Sequence, residues 1–231
     1  SSKLILITPE ILLFIGAVVV AVLGLSTHRR IRNAVPWTTV GFLVAAIVAT
    51  QYVYDGSETV TDADLLFPNL GLYLKVMVGV IAIGLVLLGI GMVDRRYEDA
   101  VRDGRTGFDP LRVVRGEYHA FLLLSIAGTM LVANANDLIW LFLAIELSSL
   151  PTYVMVALGR GTRRNKEAAI KYFFLGAMSS ATFLYGFALL YGATGTLSLT
   201  GMQAVFATQA AGDGIPLFGL IGMVFAFVGL C

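Results

Sequence analysis

Three ionisable residues stand inside long apolar runs. Glu146 lies in WLFLAIELSSLPTYVMVAL, Lys171 in NKEAAIKYFFLGAMSSA, and Lys75 in NLGLYLKVMVG. A charge near the middle of a membrane costs on the order of 3 kcal/mol or more, so such residues usually mark an ion path or a proton relay. Glu146 is about nine residues into its run, roughly 13 Å along a helix axis. Burial disfavours the carboxylate and a nearby cation favours it, so a carboxyl held between the two can load and release a proton. Pro151 lies five residues on and removes one helix hydrogen bond. Ser148 and Ser149 are placed to hold water or to occupy the freed carbonyls. The competing reading of Glu146 is a neutral carboxyl that glues two helices together.

Lys171 has two readings as well. Desolvation of an ammonium makes it a proton carrier. A lysine near a helix end also extends its head group to water, and Glu167 lies four residues earlier on the same face. The position of Lys75, near one end of its run, predicts that it reaches the interface in the same way. Asp137 and Asn134 read as cap chemistry at a turn. His119 opens an apolar run and reads as interfacial. His28 and His119 lie too far apart for metal-ligand spacing, and the single cysteine, Cys231, excludes a disulfide framework. No phosphate loop, dinucleotide fingerprint, haem-ligand pair or nucleophile–base arrangement is present, so this chain by itself has no equipment for redox chemistry.

The elements that must carry these residues follow from composition. Of 231 residues, 58% are hydrophobic and 13% charged, about half the charge of a soluble domain. A spanning helix needs about 20 apolar residues. Seven runs qualify: 4–25, 35–54, 70–93, 118–135, 138–158, 168–191 and 215–231. The first is too long, and too poor in cleavage signals, for a removable signal peptide, so it reads as a retained helix. The fold class is therefore all-α, a polytopic transmembrane bundle. The polar stretch 95–117 separates three helices (1–94) from four (118–231), and it has room for a short surface helix.

Thirteen of the sixteen basic residues sit in alternate loops. Arg29, Arg30 and Arg32 follow the first run. Arg95, Arg96, Arg102, Arg105, Arg112 and Arg115 follow the third. Arg160, Arg163, Arg164 and Lys166 follow the fifth. The other loops hold no Lys or Arg, and one is acidic, with Asp55, Glu58, Asp62 and Asp64. Basic loops stay in the cytoplasm, which puts the amino terminus outside.

Two stretches go further than these general features. One contains LVANAND and ELSSLPTY, and the other EAAIKYF and SSATFLYGFALLYGATG. Together they resemble the antiporter-like membrane subunits of proton-pumping NADH:quinone oxidoreductase, respiratory complex I. Subunit N is a better fit than its sisters L and M. NLGLYLKVMVG resembles the same family, with Asn69 where an Asp is common. The resemblance implies two inverted five-helix repeats, of which 118–231 would be the incomplete first. It implies a translocase subunit in a bacterial inner membrane. Glu146 and Lys171 match the family's helix 5 and helix 6 charges, and protons would move through them. The implied partners are the other membrane-arm subunits. NADH or another donor, FMN, iron–sulfur clusters and quinone would serve elsewhere in the complex. The chain has about half the family's length, so it reads as the amino-terminal part of such a subunit. Two alternatives share the Glu and Lys positions: a subunit of a multi-subunit cation/proton antiporter, and one of a membrane-bound hydrogenase. A non-pumping anchor or assembly protein is the third.

Overall fold

A computed structural model describes residues 5–26, 28–55, 68–90, 101, 103–105, 107, 115–158, 163–212 and 214–230. The described residues form α1 (Thr8–Gly24), α2 (Arg29–Asp55), α3 (Pro68–Gly89), α4 (Arg115–Val132), α5 (Leu138–Ala157), α6 (Arg163–Thr194), α7 (Leu199–Ala211) and α8 (Leu217–Leu230). The expected surface helix within 95–117, the acidic residues Glu58, Asp62 and Asp64, and Arg95, Arg96, Arg102, Arg112 and Arg160 lie outside the described residues.

Among the described residues, a helix covers most of each of the seven expected spans. Four are long and apolar enough to cross a membrane: residues 30–53 of α2, 70–89 of α3, and the whole of α5 and α6. The apolar helices α1, α4 and α8 are shorter. Two expectations need correction. The stretch after α6 is not simply a loop but holds the 13-residue helix α7. Its start is fixed locally, because the Ser198 side chain caps the Gly201 amide. Leu197 and Leu199 also bond across to Leu138 and Asn136 beside the Asp137 turn. The starts of three spans differ as well, and α4 begins at Arg115 rather than near 118. α2 begins at Arg29 and α6 at Arg163, inside the basic segments. Backbone hydrogen bonds continue a helix past the apolar boundary, so hydropathy marks the membrane rather than the helix end.

Two hydrophobic cores organise the bundle. One joins α1, α2, α3 and α4 through Leu13, Val20, Leu43, Val86, Leu123 and Met130. The other joins α5, α6 and α7 through Leu138, Phe183, Phe187, Leu190 and Met202. In lipid, association rests on close packing rather than on escape from water, so small residues mark the contacts. Gly24 of α1 faces Gly116 of α4, backbone to backbone. Gly128 of α4 lies on the α5 backbone at Leu147 and Ser148. Gly186 of α6 meets Gly222 and Ala226 of α8. The hydroxyls of Ser125 and Thr129 on α4 reach the Ser148 carbonyl and hydroxyl of α5 at 2.9 and 3.0 Å. This is the turn that Pro151 interrupts. Ser149 bonds the Ile145 carbonyl, and Thr152 the Ser149 carbonyl. Ser149 therefore bonds the Ile145 carbonyl rather than that of Leu147, which Pro151 frees, and the Ser148 hydroxyl is engaged with α4.

These contacts make a prediction. A methyl group at Gly128 would press on the α5 backbone, whereas one at Gly84 would meet open space. Gly128→Ala should destabilise the bundle by about 1 to 3 kcal/mol, the range for overpacking, and Gly84→Ala should be neutral. Thermal melting of the detergent-purified protein compares the two, and equal midpoints would contradict the packing described.

Candidate functional site

Glu146 is placed by α5. Asp137 caps that helix by accepting from the Ile139 and Trp140 amides, and Glu146 follows nine residues later. Its side chain is half-buried and points at α6, where the Ser180 hydroxyl donates to Oε1. It opens onto a cleft of about 290 Å³ between the two helices. Tyr153 and Ser180 share the cleft, with Phe142, Leu150 and Phe173 as apolar walls. The run Gly176–Ala181 packs closely on both sides. Ser179 donates to the Gly229 carbonyl of α8, Ser180 donates to Glu146, and Gly176 leaves room for the Tyr153 hydroxyl.

Lys171 is not brought to Glu146. Its side chain is 69% exposed and pairs with Glu167 at 2.6 Å. Helix length explains this. At 1.5 Å per residue, the 32 residues of α6 extend about 48 Å, well beyond the roughly 30 Å of hydrocarbon. The apolar run begins near residue 168, so Lys171 sits in its first turn, at the boundary. Ser180, which holds Glu146, is nine residues farther on, about 13 Å along the axis.

Lys75 reverses its expectation. It does not reach the interface but is fully buried. Its Nζ lies 2.8 Å from Glu10 Oε1 on α1 and donates to the Leu6 carbonyl at 3.3 Å. Glu10 is equally sealed, and its Oε2 has no hydrogen-bond partner. Sequence reasoning missed Glu10, because its place in the first turn of α1 reads as interfacial. One signal was present. α1 and α3 are expected to cross in the same direction, and Glu10 and Lys75 stand six and five residues into their apolar runs, at similar depth. A buried cation requires an anion. His119 is also buried rather than interfacial, on the face of α4 turned into the bundle. Asn134 is buried at the α4–α5 turn. Arg32, expected in a solvated loop, is buried too and donates to the Ser26 carbonyl at 3.1 Å. Among the described residues, no three His, Cys, Asp or Glu side chains cluster as metal ligands.

An apolar helical bundle of this kind, with several helices long enough to span, is that of a multi-pass membrane protein. Residues 135–230 match the family model described as NADH:quinone oxidoreductase/Mrp antiporter, transmembrane. Over its whole length the chain is similar to NADH-quinone oxidoreductase subunit N. It is 33% identical over 231 residues to the subunit N of Maricaulis maris, covering 100% of this chain and 44% of that protein. It is 34% identical to a subunit N of Solibacter usitatus, covering 96% and 42%. Against subunit N of an Azoarcus species, identity is 41% over 128 residues, covering 55% and 26%. The chain thus spans less than half the length of these relatives. Two solved structures share the fold. One is respiratory complex I from Thermus thermophilus with bound aureothin, with a TM-score of 0.64 and 23% identity over 96% of this chain and 43% of the other. The other is an archaeal membrane-bound sulfane sulfur reductase, with a TM-score of 0.71 and 20% identity over 99% and 44%.

The buried pair generates the second prediction. Removing one partner leaves an uncompensated charge and costs about 3 to 5 kcal/mol, whereas replacing both with apolar residues is often tolerated. Glu10→Leu and Lys75→Leu should each lower the melting temperature and the amount of protein in the membrane. The double replacement should recover most of both. Additive losses in the double variant would show that the two residues act separately.

Proposed function

We propose that this chain forms part of a proton-translocating membrane subunit of the subunit N type, in an NADH:quinone oxidoreductase of a bacterial inner membrane. Quinone reduction elsewhere in the complex would drive the movement, and the other membrane-arm subunits would be its neighbours. The observation that carries this reading is Glu146. It is an ionisable carboxyl in the middle of a spanning helix, bonded by Ser180 of the next helix and open to a cleft. It also lies within the segment that matches the family model. The groove beside it has space for water. The basic alternate loops support an outward amino terminus. Lys171 belongs to the same path at its edge, where its pairing with Glu167 makes it a surface relay rather than a direct partner of Glu146. Residues 118–231 would be the first part of a five-helix repeat.

A second reading has its own support. The archaeal sulfane sulfur reductase shares the fold as fully as complex I does, and the family model covers antiporters by its own description. A subunit of a cation/proton antiporter or of a hydrogenase-like complex would use Glu146 in the same way. Co-purification with quinone-reducing activity separates the two.

Glu146→Ala in the assembled complex should lower both proton pumping and coupled quinone reductase activity. Wild-type rates in a fully assembled variant would remove Glu146 from the path. Lys171→Ala should have a smaller effect, because water replaces an exposed ammonium. A loss as deep as that of Glu146→Ala would contradict its peripheral place. Vesicle pumping assays normalised to complex content provide both readouts.

A further inference from the structure

We infer that the seam between α5 and α6 is the route by which protons reach Glu146 from the membrane face where α5 ends and α6 begins, and that Tyr153 is the hydroxyl relay within it. This inference rests on the proposed role of Glu146 and adds the path that serves it.

The geometry begins with spacing. Glu146 and Tyr153 are seven residues apart on α5, two turns along one face, about 10 Å in axial distance. Both line the same cleft. α6 runs antiparallel beside them. Ser180 lies opposite Glu146, and Gly176 opposite Tyr153. The glycine matters here, because a side chain at 176 would occupy the space of the Tyr153 hydroxyl. The phenol is therefore seated by the absence of a Cβ on the neighbouring helix.

Polar groups continue from Tyr153 toward that face. Its ring meets the edge of Tyr172 with centroids 4.8 Å apart. The Tyr172 hydroxyl is 3.3 Å from Thr152 Oγ1. Lys171 and Glu167, both exposed and paired, follow on α6. From mid-membrane to surface the seam thus presents a carboxyl, a phenol, a second phenol with a threonine hydroxyl, and an ion pair. On the Glu146 side of Tyr153, the cleft of about 290 Å³ has room for several waters at about 30 Å³ each. Glu146, Tyr153 and Ser180 supply the polar partners that such waters need.

A phenol both donates and accepts a hydrogen bond. A proton arriving at the Tyr153 oxygen from that face displaces the phenol's own proton to a cleft water, and that water passes one on to the Glu146 carboxylate. Tyr153 is neutral before and after, so the step needs no other reactant. A phenylalanine would keep the ring contacts but interrupt this transfer.

The test uses the intact complex containing this subunit, reconstituted in liposomes. Proton pumping and quinone reductase rates are normalised to assembled complex. Tyr153→Phe should lower pumping several-fold, approaching Glu146→Ala. The double variant should fall no further than Glu146→Ala alone, because both act on one path. Gly176→Ala, which displaces the phenol, should impair pumping as well. Tyr153→His should recover part of the loss through another proton-carrying group, which a packing role would not produce. Wild-type pumping by Tyr153→Phe beside an impaired Glu146→Ala would overturn the seam route while leaving Glu146 in place. Wild-type pumping by Glu146→Ala would remove the reading beneath both. Should Tyr153→Phe fail to assemble, Thr152→Val combined with Tyr172→Phe interrogates the same seam, and undiminished pumping there overturns the proposal.

Discussion

Hydrocarbon supplies no hydrogen bonds, so polar groups carried into the bilayer must be met inside the bundle. Much of this structure follows from that constraint. Thr39, Thr50, Thr129, Ser149, Thr182 and Thr194 return their hydroxyls to carbonyls of their own helices. Ser125 crosses from α4 to α5, and Ser179 from α6 to α8. Where charge enters, the same demand is stronger. Lys75 and Glu10 meet each other, and Glu146 meets Ser180.

The two buried carboxyls show how one demand yields two kinds of site. Glu10 is closed in with a cation and has no access to water, so it joins α1 to α3. Glu146 has a neutral hydroxyl for a partner and a cleft at its side. The first arrangement ties two helices together, and the second leaves space beside the carboxyl. The proposed function therefore falls on Glu146 rather than on the more deeply buried Glu10.

Packing and chemistry also share residues. Gly128 brings α4 against the turn of α5 just past Glu146, where Pro151 has removed one backbone bond. Gly176 admits the Tyr153 phenol, and Ser180, one turn farther along the same helix, holds the carboxyl. Close approach in lipid depends on small residues, and the space they leave receives the polar side chains. α7 joins the packing through Met202 and through the bonds around Ser198. Its weak apolar pattern gave no periodic signal, because a short helix at a bundle's end buries little of its surface.

The amino-acid sequence alone determined the class of fold, the seven apolar runs and the alternation of basic loops, and it singled out Glu146 as a charge inside a span. Each of these depends on local composition, and the energy of placing a residue in hydrocarbon is set largely by that residue itself. Tertiary structure decided the partners. That Lys171 turns to Glu167, that Lys75 finds Glu10 across a separation of 65 residues, and that Tyr153 sits where Gly176 makes room are consequences of which helix faces which. Those faces are selected by the fit of small residues between helices, a property of pairs of surfaces that no single stretch of sequence contains.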